Sequence, residues 1–126
     1  MSRPRTQLFI DIFSDIVDQC KDMSNAELHV ILAGIGGIYV EVYKDVSFRV
    51  CPIAEKDAEA MLDDLQGAAI LAGARGKKLN RKALVDALVK LSKLPEKQPK
   101  IAELDINPFI LNAKDGSIVD ARVILE

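Results

Sequence analysis

The sequence predicts an α+β layered domain, a mostly antiparallel sheet with helices packed on it, and three observations predict it. Residues 27–52 hold β-rich runs broken by glycines. Residues 54–66 and 80–94 carry apolar side chains at helical period, and residues 101–125 alternate apolar and polar side chains about a polar turn. At 126 residues and 49% hydrophobic side chains, the chain has apolar material for one compact core, and no internal repeat divides it.

Taken in order, residues 6–23 place Leu8, Phe9, Ile12, Phe13, Ile16, Val17 and Cys20 at i, i+3, i+4 spacing. Asp11, Asp15, Asp18 and Lys21 fill the other arc, so an amphipathic helix ending at Ser24-Asn25 is expected. The runs LHVILAG, GIYVEVY and VSFRVCP then read as short strands separated by Gly34, Gly36-Gly37 and Lys44-Asp45. AEKDAEAMLDDLQ returns to a helical period, with carboxylates early where the helix dipole favours them and Gly67 as its stop. AAILAGARGKKLN is glycine-punctuated and loop-like. Asn80 can cap the next helix, whose stripe is Leu84, Leu88 and Leu91, and Pro95 and Pro99 break the chain after it.

IAELDINPFILNAKDGSIVDARVIL reads as a hairpin about Lys-Asp-Gly-Ser. Strand alternation sends Glu103, Asp105 and Asn107 to one face and Leu104 and Ile106 to the other, where Val119, Ala121 and Val123 would complete an apolar layer. A turn within 113–116 sets Asp120 across from a residue between 109 and 111, on the face of Asp105 and Asn107. A diagonal neighbour in a sheet lies only about 7–8 Å away, so these three residues are within reach of one ion. Two carboxylates and an amide carbonyl are hard oxygen donors of the kind that suit Mg²⁺. Ordinary exposed strand residues and a pre-proline turn residue would be spelled the same way. AGIGGIYVEV is open in the same sense: Gly36 and Gly37 could let backbone N–H groups approach a phosphate, or form a tight turn feeding strand 37–43.

A net charge of −2 gives no electrostatic reason to expect nucleic acid or an anionic membrane as partner. The basic residues between Lys77 and Lys100 lack interleaved aromatics and read as solvated helix faces. Two cysteines, Cys20 and Cys51, without metal-ligand spacing, and no apolar segment of bilayer length, fit a cytoplasmic location. The lone His29 sits in an apolar run, the setting of a packed histidine.

GIGGIYVEVYKDVSFRVCPI, the acidic helix after it, the GARG loop, AELDINPFIL and IVDARVIL together resemble the C-terminal part of the ATP-grasp β subunit of ADP-forming acyl-CoA synthetases, relatives of succinyl-CoA synthetase. The likeness runs from about residue 34 to the end. It implies a single partial ATP-grasp domain, with 1–33 a helix and strand from a shortened lid-like subdomain and 34–126 the C-terminal subdomain. It further implies that Asn107 and Asp120 ligate the Mg²⁺ of ATP or ADP and that Asp105 faces a phosphohistidine loop during phosphoryl relay. Arg49 in SFRV and Arg75 in GARG fall on family-like positions where they could meet phosphate or carboxylate. The reaction implied is acid, CoA and ATP giving acyl-CoA, ADP and phosphate.

The chain departs from the family in lacking the lysines and hinge segment that hold the nucleotide, and a glycine-rich hairpin with its D-P-x-F-G-P-like segment before AGIGG. The expected function is therefore a nucleotide-binding partial domain, inactive alone. Its partners would be an α-type CoA-binding subunit or the remaining ATP-grasp half. The alternative is a non-catalytic interaction module that self-associates, by swapping an element in a homodimer, through apolar surface left open on the helix at 6–23.

Overall fold

The computed structural model describes residues 5–19, 24–36, 45–71 and 79–126. Three strands, β1 (Arg5–Gln19), β2 (Ser24–Ile35) and β3 (Val46–Val50), come first. Four helical segments follow: α1 (Glu55–Asp63), α2 (Ala68–Leu71), α3 (Arg81–Ser92) and α4 (Leu94–Lys97). The chain closes with β4 (Ile101–Asn112), β5 (Gly116–Ile118) and β6 (Ala121–Leu125). The strands form one six-stranded antiparallel sheet in the order β3-β2-β1-β4-β5, with β6 also paired to β4. The α+β expectation holds, and the GIYVEVY run lies outside the described residues.

The helix expected at 6–23 is instead the long strand β1, lying between β2 and β4. Leu8, Ile10 and Ile12 are all buried on one face, while Phe9, Asp11 and Phe13 alternate with them on the other. Phenylalanine, isoleucine and valine at nearly every position satisfy a helical period and a strand period at once, and pairing on both edges decides for the strand. Of the apolar surface invoked for self-association through a helix, Leu8 and Ile12 are core, while Phe9 and Phe13 lie half-buried on the opposite sheet face. β2 begins at Ser24, where that helix was expected to stop.

The core lies between the helices and one sheet face. Leu8, Ile10, Ile12, Ile31, Ala33, Leu104, Ile106, Phe109 and Leu111 meet Ala58, Met61, Leu62, Leu84, Val85 and Leu88 there. Each Leu, Ile or Met so buried contributes about 1.5–3 kcal/mol. The helices at 54–66 and 80–94 appear nearly as expected; residues 68–71, expected as loop, form a short helical turn. Asn80 caps α3 by accepting from Ala83 N at 3.1 Å and donates through Nδ2 to the Lys114 carbonyl at 2.7 Å, which ties the helix start to the β4–β5 turn. Arg81 joins α3 to α1 through Glu59 Oε1 and Asp63 Oδ1, both at 2.8 Å. Buried Ser92 accepts from Ile53 N at 3.0 Å and donates to the Val89 carbonyl at 2.7 Å.

The proline in ELDINPFIL is accommodated by a bulge. Ile10 pairs Ile106 and Leu8 pairs Phe109, so Asn107 and Pro108 together face the single Phe9. Inward positions shift accordingly, from Leu104 and Ile106 before the bulge to Phe109 and Leu111 after it. The turn between β4 and β5 sits where expected, with Asn112 Oδ1 accepting from Lys114 N and Asp115 N at 2.8 Å each. The apolar layer expected on the returning strand is not buried: Val119 and Val123 are exposed, because β6 is an edge strand beyond the reach of the helices.

Candidate functional site

Beyond the bulge the register on the β5–β6 side runs without a slip, from Phe109↔Ile118 to Ile106↔Ala121. Asn107 therefore stands opposite Asp120, and Asn107 N donates to the Asp120 carbonyl at 3.2 Å. This corrects the expected pairing of Asp120 with 109–111: the strand returns further along β4 before β6 begins. The correction brings the two residues closer, because directly opposed side chains lie about 4.5–5.5 Å apart at Cβ. Both are exposed. An amide oxygen and a carboxylate offer Mg²⁺ the hard donors it prefers, and magnesium sites of this kind leave further positions to water and phosphate. Among the described residues no group of three or more His, Cys, Asp or Glu is gathered to hold a metal by itself.

Asp105 faces away from the helices and pairs Asp11 on β1 and Arg122 on β6. With Leu32 opposite Asp11 and Phe48 opposite Leu32, one row of side chains crosses the sheet: Phe48, Leu32, Asp11, Asp105, Arg122. The next row is Val50, Val30, Phe13, Glu103 and Ile124. Arg122 Nη2 lies 3.9 Å from Glu103 Oε1, a loose and exposed pair. Burial, then the side-chain hydrogen bond and charge of Asp105, then the charge of Glu103 push the Asp11 carboxyl from its ordinary 3.8 up to about 7. Asp11 was not among the residues singled out from sequence. An acid inside FIDIF would have stood out had that run been read as a central strand.

The other expected site residues lie elsewhere. Arg49 pairs Ile31, hence points to the helix side, where its guanidinium meets Asp64 Oδ2 at 2.6 Å. The sheet separates it from Asp105. Gly36 N donates to the Gln7 carbonyl at 2.8 Å, a backbone bond that occupies the N–H a phosphate would need. Gly37 and Arg75 lie outside the described residues. His29 Nε2 donates to the Ile101 carbonyl at 2.7 Å, as a packed histidine does. No helix among the described residues is long and apolar enough to cross a membrane.

A sheet with helices on one face and an oxygen-donor hairpin at its end matches a known class: the ATP-grasp domain pattern fits residues 29–125, and the chain belongs to that family. Proteins it is similar to include ADP-forming acyl-CoA ligases. Over 96 residues it is 48% identical to the β subunit of the ADP-forming acetate–CoA ligase I of Pyrococcus furiosus, covering 75% of this chain and 41% of that subunit. Over 97 residues it is 40% identical to the ADP-forming acetate–CoA ligase I of Archaeoglobus fulgidus, of which it covers 14%. A solved relative is the dinucleotide forming acetyl-coenzyme A synthetase 1 of Ca. Korarchaeum cryptofilum, in complex with coenzyme A and Mg-AMPPCP. It superposes over 100% of this chain and 55% of its own with a TM-score of 0.84 at 34% identity. The chain thus spans well under half of that β subunit.

Proposed function

We propose that this chain is the C-terminal portion of an ATP-grasp domain that serves an ADP-forming acyl-CoA synthetase, with β1 and β2 built into the same sheet as the strands after residue 34, and not a separate lid-like remnant. It binds Mg-ATP or Mg-ADP and works with segments supplied by another chain: the remaining ATP-grasp half, an α-type CoA-binding subunit, or both. The overall reaction is acid, CoA and ATP giving acyl-CoA, ADP and phosphate, in a cytoplasmic setting. The observation that carries this reading is the opposition of Asn107 and Asp120 across the hairpin, in a chain whose residues 29–125 fit the family pattern. Support for a partner comes from the sheet face the helices leave open, where Phe48 is 63% exposed.

In this reading Asn107 and Asp120 hold the metal, and Asp105 on the neighbouring position of β4 faces the phosphoryl group in transit. When bound, Mg²⁺ neutralises charge developing on the phosphate oxygens. The chain's own contribution is positional: the unbroken pairing of β4 with β5 and β6 sets Asn107 opposite Asp120, and Asp105 lies two residues before it on the same strand. Arg49 keeps a role only if a partner's segments bring phosphate to the helix side, and Arg75 stays a candidate for phosphate or carboxylate.

Calorimetric titration of Mg-ADP and Mg-ATP into the full chain, alone and with a candidate partner subunit, tests the proposal. Asn107→Ala and Asp120→Ala are each expected to weaken binding about tenfold or more, the loss of one charge-assisted contact. Unchanged affinity in both variants would remove the metal assignment.

A further inference from the structure

We infer that the free edge of β6 pairs antiparallel with β6 of a second copy of this chain, about a twofold axis at Ile124, joining two six-stranded sheets into one. The inference stands apart from the nucleotide reading and needs neither metal nor partner subunit.

A sheet edge shows unpaired N–H and C=O groups, which natural proteins shield with charge, proline or a bulge. β6 reads Ala-Arg-Val-Ile-Leu, with one charge and no proline, and all five residues are exposed. Three of them, Val123, Ile124 and Leu125, are large and apolar. Asn107 N donates to the Asp120 carbonyl, and Glu126 N donates to the Lys100 carbonyl at 2.9 Å. Even-numbered residues therefore bond to β4, and alternation turns the backbone groups of Ala121, Val123 and Leu125 outward. No strand among the described residues takes them up.

An antiparallel partner must set outward residues against outward residues, which leaves few twofold registers. Centred on Arg122, the pairing puts two guanidinium groups face to face. Centred on Val123, it sets Asp120 against Glu126 of the second copy. Centred on Ile124, every opposed pair is complementary: Arg122 meets Glu126 of the second copy, Val123 meets its Leu125, and the two Ile124 side chains meet on the axis. Val123 and Leu125 then exchange both backbone hydrogen bonds, once on each side of the axis. Arg122 Nη2, which has only a loose contact with Glu103 Oε1 at 3.9 Å, gains a carboxylate directly opposite. Val123 and Leu125 lie on the helix face, opposite Leu104 and Ile101, and Arg122 and Ile124 on the open face, so the join is continuous on both.

Sedimentation velocity of the full chain over a concentration series tests this. The wild type is expected to pass reversibly from monomer to dimer. Arg122→Glu and Glu126→Arg each set like charges opposite one another at two places and should raise the dimer dissociation constant about tenfold. A chain carrying both changes, or an equal mixture of the two single variants, should regain the wild-type value. Val123→Pro removes only an outward N–H, so it should keep the melting temperature of the dilute chain and abolish the dimer. If that variant melts early, the charge exchange decides. Ile124→Cys should give a disulfide-linked dimer above the wild-type background on mild oxidation, and Val123→Cys should not. A wild type that stays monomeric at millimolar concentration, or that grows past the dimer, overturns the proposal. So does a dimer that both charge reversals leave unchanged, a loss that the double change fails to restore, or linkage through Val123→Cys in place of Ile124→Cys.

Discussion

A methyl group at position 34 would have nowhere to go. A Cβ built on Gly34 falls 2.4 Å from Phe9 Cζ and 2.9 Å from the Asp45 carbonyl oxygen. The ring could swing, but the backbone oxygen sits one residue before β3 and is held by that pairing. Gly34→Ala is therefore expected to cost about 1–3 kcal/mol in urea unfolding. Asp11 makes a different statement, about pH. Its carboxyl rises from 3.8 to about 7 on folding, so the folded chain binds the extra proton between those values. The stability this contributes is whole below about pH 4 and is lost as pH climbs through about 7. Differential scanning fluorimetry should show the wild type losing melting temperature relative to Asp11→Asn on going from about pH 5 to about pH 8; parallel curves would count against the raised value.

Elements closed by local chemistry were legible in the sequence, and the element fixed by its neighbours was not. Asn80 announces α3 because its side chain satisfies a backbone N–H the helix cannot, and the structure adds its bond to Lys114. Asn80→Ala should lower stability by about 1–2 kcal/mol in urea, with Asn80→Ser recovering part of the loss; no change would mean the cap is idle. The Lys-Asp-Gly-Ser turn was legible for the same reason, since Asn112 closes it from within. By contrast β1 has no cap or turn of its own to declare it. Its identity comes from pairing with β2, from Gln19↔Ser24 to Leu8↔Ile35, and with β4, from Phe13↔Glu103 to Arg5↔Asn112, and the second of these lies far outside any window in which a local period is read. The misjudged register of Asp120 has a smaller origin. Pairing already closes at Leu111↔Gly116, so the register that runs unbroken from that turn sets Asp120 opposite Asn107 and not opposite 109–111, a difference of two residues that turn chemistry alone does not fix. Asp11 was hidden behind the misreading of β1, because a helix would have sent it to solvent.

At the scale of the whole molecule the two faces of the sheet are unequal, and the inequality links stability to function. On the helix face Leu88 is fully buried among β-strand and helix side chains, and Leu88→Ala should cost about 2–5 kcal/mol through lost transfer energy and the cavity left behind. On the other face Phe48 is 63% exposed, with Val46 and Val50 beside it on an edge strand. Phe48→Ser should change the stability of the isolated chain by no more than about 1 kcal/mol, since little packing is removed. Under the proposed function, that face is where another chain completes the domain, so the same substitution should weaken association with a partner subunit while leaving the fold intact. Urea unfolding of the two variants, alone and with the partner present, separates the cases. A Phe48→Ser chain as destabilised as Leu88→Ala would mean that both faces carry the fold. A Phe48→Ser chain that is stable and still associates at full strength would mean that the open face serves something other than the missing half.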